Sequence, residues 1–310
     1  GCIPGADPTK VSDRAKQRGK NQVGTLGSGN HYLEVQVVTP DRIYNKEIAN
    51  AFGITGENQI FIMVHCGSRG YGHQVATDYL NICETAMKKY NISIPDRELA
   101  CVPFQSQEGK DYLKAMTSAA NFAFANRQLI THRIRESFEE VFKKTPQSMD
   151  MHIIYDVAHN IAKVEEYAID GKKQKLIIHR KGATRAFGPG NNELWGVYKK
   201  YGQPVIVGGS MQTGSYLLVG TAKAEAETFG STLHGSGRTM SRTKAKKIVR
   251  GDLLQKEMEQ QGIYVKSVTH AGLAEEAGIA YKDINEVVRA VELAGISTPV
   301  VSFKPIGNVK

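Results

Sequence analysis

Five of the chain's nine histidines, His31, His65, His159, His179 and His234, stand at the ends of expected strands or in adjoining glycine-rich loops. Strand ends on a rigid sheet are where catalytic and metal-binding groups are usually presented. A neutral imidazole suits manganese, zinc, iron or nickel, and carboxylate or water partners shift the choice toward manganese or magnesium. A structural hydrogen bond explains any one of these histidines better; the setting they share is what points to a site.

Four segments carry the chemistry. Residues 24–34 lead glycines, through which backbone amides can approach a ligand, up to Asn30, His31, Tyr32 and Glu34. Strand alternation puts Asn30, Tyr32 and Glu34 on one face and His31 on the other. One segment could thus serve two neighbouring ligands, although an ordinary glycine loop entering an edge strand reads the same way. Residues 64–73 run from a strand end through glycines into a helix, with Arg69 as a bidentate anion donor. They lack the Gly-Lys-Ser/Thr ending of a P-loop, and no kinase or Rossmann fingerprint occurs elsewhere.

Residues 155–163 and 179–187 bracket a hairpin whose Arg180, Lys181 and Arg185 form either a phosphate-contacting patch or a solvated charged face. Residues 229–242 set His234 beside Gly235 and Gly237, which clear space around the ring, and ahead of Arg238 and Arg242, one helical turn apart. That setting suits an imidazole attacking phosphorus while guanidiniums stabilise the transferring group. It equally suits an anion-binding helix start with a passive histidine.

Hydrophobic periodicity supplies the elements that must position these groups. Strands are expected over 31–38 and 58–64, then a glycine-dense turn over 67–72 and a helix to about Tyr90. Apolar residues from Asp111 to Lys144 recur at three- and four-residue steps, which predicts one long helix or two with a bend. A strand over 151–157, a hairpin over 163–179 turning at Asp170 and Gly171, and short strands over 204–207 and 215–219 follow. Residues 230–237 read as small and flexible, 239–250 as a basic helix, and the remainder alternates helix and strand. This mixed order favours an α+β fold, a mixed or antiparallel β-sheet core with surrounding helices, over a doubly wound sheet.

At ~150 residues per domain, 310 residues make one large or two ordinary domains with a proper core. Cys2, Cys66, Cys83 and Cys101 share no paired spacing, which suggests neither a disulfide framework nor a thiolate zinc finger and fits a reducing cytoplasm. The most apolar window, 204–222, is broken by Gly208, Gly209, Gln212 and Gly214, so no membrane span is expected. A net charge of +9 suggests a polyanionic partner. The chain opens without an initiator Met or a signal pattern, which reads as a fragment.

At the four segments, and along ordered runs from Ala6 to Lys310, the chain resembles the RtcB family of RNA-splicing ligases. The resemblance implies an RtcB-like catalytic domain over residues 1–310, lacking its front. It implies a GTP- and manganese-dependent, cytoplasmic enzyme that joins RNA 3′-phosphate or 2′,3′-cyclic phosphate ends to 5′-hydroxyl ends through a guanylylated histidine, as in tRNA splicing and RNA repair. Transfer RNA halves would be the substrate and archease an activator.

Carried over position by position, His234 is the nucleophile, and His31, His65 and His159 are metal ligands in a site of two manganese ions. Asn30, His31, Tyr32, Leu33, Glu34, His159, Asn160, Gly208, Gly209, Ser210, Met211, Ser215, His234, Gly235, Ser236, Gly237, Tyr281 and Lys310 line the guanine nucleotide. Arg18, Arg238 and Arg242 contact RNA phosphates.

Three departures stand out. The family's Asp and bridging Cys lie upstream of Gly1, Leu233 replaces a common Cys before the nucleophile, and no Gly follows Lys310. The alternatives are a catalytically incomplete RNA- or GTP-binding fragment and a metal-dependent RNA phosphodiesterase.

Overall fold

A computed structural model describes residues 2–56 and 58–310. In chain order its strands are β1 Tyr32–Val38, β2 Gln59–His65, β3 Asn160–Ile169, β4 Lys172–Lys181, β5 Ala183–Arg185, β6 Pro204–Gly208, β7 Ser215–Gly220, β8 Ser231–Leu233, β9 Tyr264–Lys266 and β10 Ser297–Val309. Its helices are α1 Asp13–Lys20, α2 Lys46–Ala51, α3 Arg69–Lys89, α4 Gln107–Phe142, α5 Gly196–Tyr201, α6 Ala222–Thr228, α7 Arg242–Ile248, α8 Gly251–Gln260, α9 His270–Glu275 and α10 Ile284–Leu293. The chain divides into two compact units.

The first unit comprises the described residues up to Gly27 together with Cys66–His152, and it is helical. The periodic stretch forms one uninterrupted helix, α4, of 36 residues. Ser106 caps its start by accepting from the Gly109 amide at 3.1 Å, and Lys143, left-handed at φ 53°, ends it. Val11 and Ala15, the α3 residues Tyr71, Val75 and Tyr79, and Ala115 and Ala119 of α4 share one core. The Tyr71 and Phe122 rings stack at 4.9 Å within it.

The second unit, Ser28–His65 with Ile153–Lys310, holds all the strands. Its main sheet runs β2-β1-β10-β7-β6, with β9 also on β10. Every pairing along that path is antiparallel and β9 is parallel, which makes the fold the α+β arrangement with a mixed sheet that the element order favours. Val38, Leu217, Val219, Val300, Val301 and Phe303 form the principal core against α2 and the loop after it.

Two smaller ribbons, β3-β4 and β5-β8, stand off the main sheet. The first turns at Asp170 (φ 49°) and Gly171 (φ 75°), the positive pair that a tight two-residue hairpin needs.

Several expectations are corrected. Residues 151–157 form no strand; they have the alternation but no neighbouring strand to complete a ladder. Residues 231–233, expected in a flexible stretch, are β8, because β5 supplies the missing partner. The basic helix starts at Arg242 rather than near Thr239, where Ser241 accepts from the Lys244 amide at 3.2 Å. Among the described residues no helix is long and apolar enough to cross a membrane.

Candidate functional site

Antiparallel pairing of β1 with β2 sets Tyr32 opposite His65 at the sheet end, with His31 just outside β1. The His31 and His65 rings lie 5.7 Å apart between centroids. His159, immediately before β3, brings its ring to 5.1 Å from His65. His234, the residue after β8, lies over His159 at 4.6 Å with 32° between ring planes. A row of four imidazoles results, each delivered by the end of a different strand. His179, by contrast, sits within β4 opposite Ala162.

The backbone is cleared where the rings meet. Gly182 adopts φ +63°, and a Cβ there would lie 3.3 Å from the His234 ring. Its amide donates to the His159 carbonyl at 2.9 Å and to Asn160 Oδ1 at 3.0 Å. Gly208 bridges to Gly235 and accepts from the Ser236 amide at 2.9 Å. A Cβ on Gly208 would approach the Tyr32 hydroxyl to 2.7 Å. Gly209 donates to Gly214 at 2.9 Å, closing the loop through Ser210 and Met211. The Met211 side chain packs in a core with Leu254 and Met258, so the backbone is what this residue can offer a ligand.

Burial keeps His65, His159 and His234 neutral. Desolvation, with His159 next in effect, pushes His65 down to about 3. Desolvation and then His234 push His159 down to about 4. Burial also lowers His234. A neutral ring keeps a lone pair for a metal ion or an electrophile.

His65 Nε2 and His159 Nε2 face each other at 3.0 Å, and His159 Nδ1 is buried with no hydrogen-bond partner. Two nitrogens take that spacing when they share one proton. They take it equally when they flank one divalent ion at right angles with bonds of about 2.1 Å. The expected trio is a different matter. Among the described residues no three His, Cys, Asp or Glu side chains are arranged to hold a metal ion. His65 and His159 therefore fit as two ligands, and His31 is a third ring nearby rather than part of a formed set.

Tyr32 and Glu34 share the buried face of β1 and Leu33 faces the other way, as alternation requires. Glu34 accepts from Gln36 and from Asn308 Nδ2, the latter at 2.9 Å, and Gln36 also donates to Ser215 Oγ at 2.7 Å. Burial still dominates and raises Glu34 to about 7. Lys310, desolvated in turn, falls to about 8.

Glu276, 1% exposed, joins the remaining cations. It accepts from Arg238 Nη1 at 3.0 Å, from Arg242 Nε at 2.9 Å and from the Tyr281 hydroxyl, and Lys310 Nζ lies 3.9 Å away. No sequence pattern singles this carboxylate out; it is the second of two adjacent glutamates, just past the end of α9.

The basic hairpin needs correction. Arg180 is buried and bidentate to Glu165, both bonds 2.8 Å, and its Nε donates to Ser231 Oγ at 2.9 Å. Arg185 is held by Glu193 at 2.5 Å. Of the expected phosphate patch, Lys181 alone is exposed, and its charge is felt at His159 and His234. Arg18 belongs to the other unit, where Nη1 donates to Gln74 Oε1 at 2.8 Å.

Fold and site define a class first: an α+β protein presenting neutral imidazoles from strand ends beside a buried carboxylate ringed by cations. The family model described as tRNA-splicing ligase RtcB matches residues 1–310, and the chain belongs to the RtcB family. It is 57% identical to the tRNA-splicing ligase RtcB of Nanoarchaeum equitans, over all of this chain and 64% of that protein. It is 56% identical to those of Thermococcus kodakarensis and Pyrococcus abyssi, again over its whole length, covering 64% and 34% of them. The chain thus spans less than two thirds of the length of these relatives.

Proposed function

We propose that this chain carries the chemistry of a GTP- and manganese-dependent RNA ligase, acting in the cytoplasm on RNA ends such as tRNA halves, in tRNA splicing and repair. The observation that carries the reading is the placement of His234. It is a neutral, glycine-cleared imidazole lying 4.6 Å from His159, in a chain of the RtcB family.

In this reading a ring nitrogen of His234 bonds to the α-phosphorus of GTP as the bond to the bridging oxygen breaks, and pyrophosphate leaves. The guanylyl group then passes to an RNA 3′-phosphate oxygen, freeing His234. A 5′-hydroxyl attacks that activated phosphorus, loses its proton and expels GMP. A cyclic phosphate is first opened to the 3′-phosphate. His65 and His159, with His31 as a further candidate, would hold manganese, which would supply charge neutralisation and polarisation at the phosphoryl oxygens. Asn30, Tyr32, Glu34, Asn160, Ser215, Lys310 and the 208–211 and 235–237 backbones surround the nucleotide. Arg238, Arg242 and Tyr281, braced by Glu276, meet phosphate charge. An archease-type activator is the expected partner.

Natural-length protein incubated with manganese and GTP labelled at the α-phosphate should acquire an acid-labile label that His234→Ala abolishes. A His234→Ala protein that still joins 3′-phosphate to 5′-hydroxyl ends would sink the reading. One observation favours a second reading, an RNA- or GTP-binding protein without ligation: the described residues form no three-ligand metal group. RNA binding with no label and no joining at high manganese would establish it.

A further inference from the structure

Trp195 is the chain's one tryptophan, and 61% of it is exposed. Its backbone is nonetheless fixed. Leu194 before it is buried, and its own carbonyl accepts from the Tyr198 amide at 3.1 Å at the start of α5. Tyr155 lies against the indole at 6.4 Å with 23° between planes, and Tyr198 meets it edge-on at 5.8 Å. Tyr198 is anchored in turn by its hydroxyl on the Ile154 carbonyl. A rigid backbone thus holds a large apolar ring in water, an arrangement whose exposed area costs free energy until something covers it.

The surroundings say what covers it. Arg185 lies close enough to the Tyr155 hydroxyl to act on it electrostatically, and its guanidinium is 4.4 Å from the Phe187 ring centre. Arg185 ends β5, which pairs with β8 directly before His234. From Gly182, which touches the His234 ring, to Arg185 is three residues of extended chain, about 10 Å. Of the nearby cations, Arg185 and Lys163 are answered by Glu165 and Glu193 and Lys200 by Glu47 at 3.7 Å, whereas Lys199, exposed next to Tyr198, donates to the neutral Asn192 Oδ1 at 3.4 Å. Lys199 thus leaves a positive charge beside the indole, and β5 runs from this face to the candidate site. Single-stranded nucleic acid is bound in this way, by bases on aromatic faces and phosphates on flanking cations.

We propose that Trp195, backed by Tyr155 and Tyr198, is a stacking platform for one base of single-stranded RNA, a few nucleotides from the end that reacts at His234. This rests on the RNA reading above, but its test is separate. Natural-length protein is titrated with a single-stranded oligoribonucleotide of about ten nucleotides, following tryptophan emission with Trp195→Phe as the blank, and anisotropy of an end-labelled copy. The platform predicts quenching of the Trp195 signal in step with the anisotropy. Trp195→Ala should weaken binding about 5- to 150-fold and Trp195→Phe much less. The slope of log affinity against log salt should be unchanged in Trp195→Ala, because stacking releases no counterions.

Anisotropy that rises without quenching, or Trp195→Ala binding as tightly as the parent, overturns the platform and leaves the ligase reading standing. An oligomer that Trp195→Ala dissolves in sedimentation without RNA assigns the face to a second copy instead, and also overturns it. Absence of both RNA binding and His234 labelling removes the ligase reading itself.

Discussion

A buried carboxylate that answers several cations is sensitive to the loss of its charge alone. Glu276→Gln keeps the shape but turns an amide toward Arg238, Arg242 and Lys310, leaving three positive groups without their shared anion. Breaking such a buried pair costs about 3 kcal/mol, measurable by urea denaturation. Because the guanidiniums would also shift, His234 labelling should slow by about 100-fold.

Glu34 makes the complementary prediction. Its folded pKa of about 7 lies above the ordinary 4.5 because burial outweighs its hydrogen bonds. The folded state therefore holds that proton more tightly than the unfolded chain does, and stability is full below about pH 4.5 and declines as pH rises through about 7. The loss amounts to about 3 kcal/mol. Lys310, lowered to about 8, acts at higher pH, where stability recovers between about 8 and 10.5. Glu34→Gln should flatten the lower limb in denaturation curves taken across that range; an unchanged limb would refute the assignment. Glu34 was legible as a site candidate because strand alternation put it with Tyr32. Glu276 was not, since the cations it answers, Arg238, Arg242 and Lys310, lie over thirty positions away in either direction.

At the scale of elements, Asp170 and Gly171 announced the β3-β4 hairpin through local backbone preference, and α4 announced itself through periodicity. The hairpin's inner bond was illegible, because a buried Arg180 and an exposed Lys181 look alike in a charge run. Arg180→Ala should cost about 3–5 kcal/mol by stranding Glu165 in the interior, and replacing both by leucine should recover much of it; equal losses in the single and double variants would contradict this. The spine of the sheet, β10, was also hard to read. Pro299 and Pro305 interrupt its pattern, yet both are accommodated where the ladder slips, between Pro299 and Val301 and opposite the Val35/Gln36 shift. A proline is tolerated at a bulge and excluded from a regular ladder. Residues 151–157 fail for the converse reason: the alternation is present, but strand formation depends on a neighbour that periodicity cannot supply.

At the scale of the molecule, no composition break betrays the two units, since the first is assembled from stretches on either side of β1 and β2. The net charge of +9 was legible as attraction to a polyanion but not as a location. The structure divides the basic residues into those consumed internally, such as Arg180, and those available to a ligand. In α7, Lys246 is paired with Glu275 at 2.8 Å, whereas Lys244 and Lys247 are exposed beside Arg242. If RNA is the polyanion, each phosphate neutralised adds about 0.7 to the slope of log affinity against log salt on a single strand. Lys244→Ala with Lys247→Ala should therefore weaken RNA binding alike for all sequences and reduce that slope by about 1.4. Lys246→Ala should change it less, because its charge is already answered by Glu275. Equal slopes in the parent and the double variant would move the RNA path away from α7, and would leave the labelling of His234 by GTP untouched.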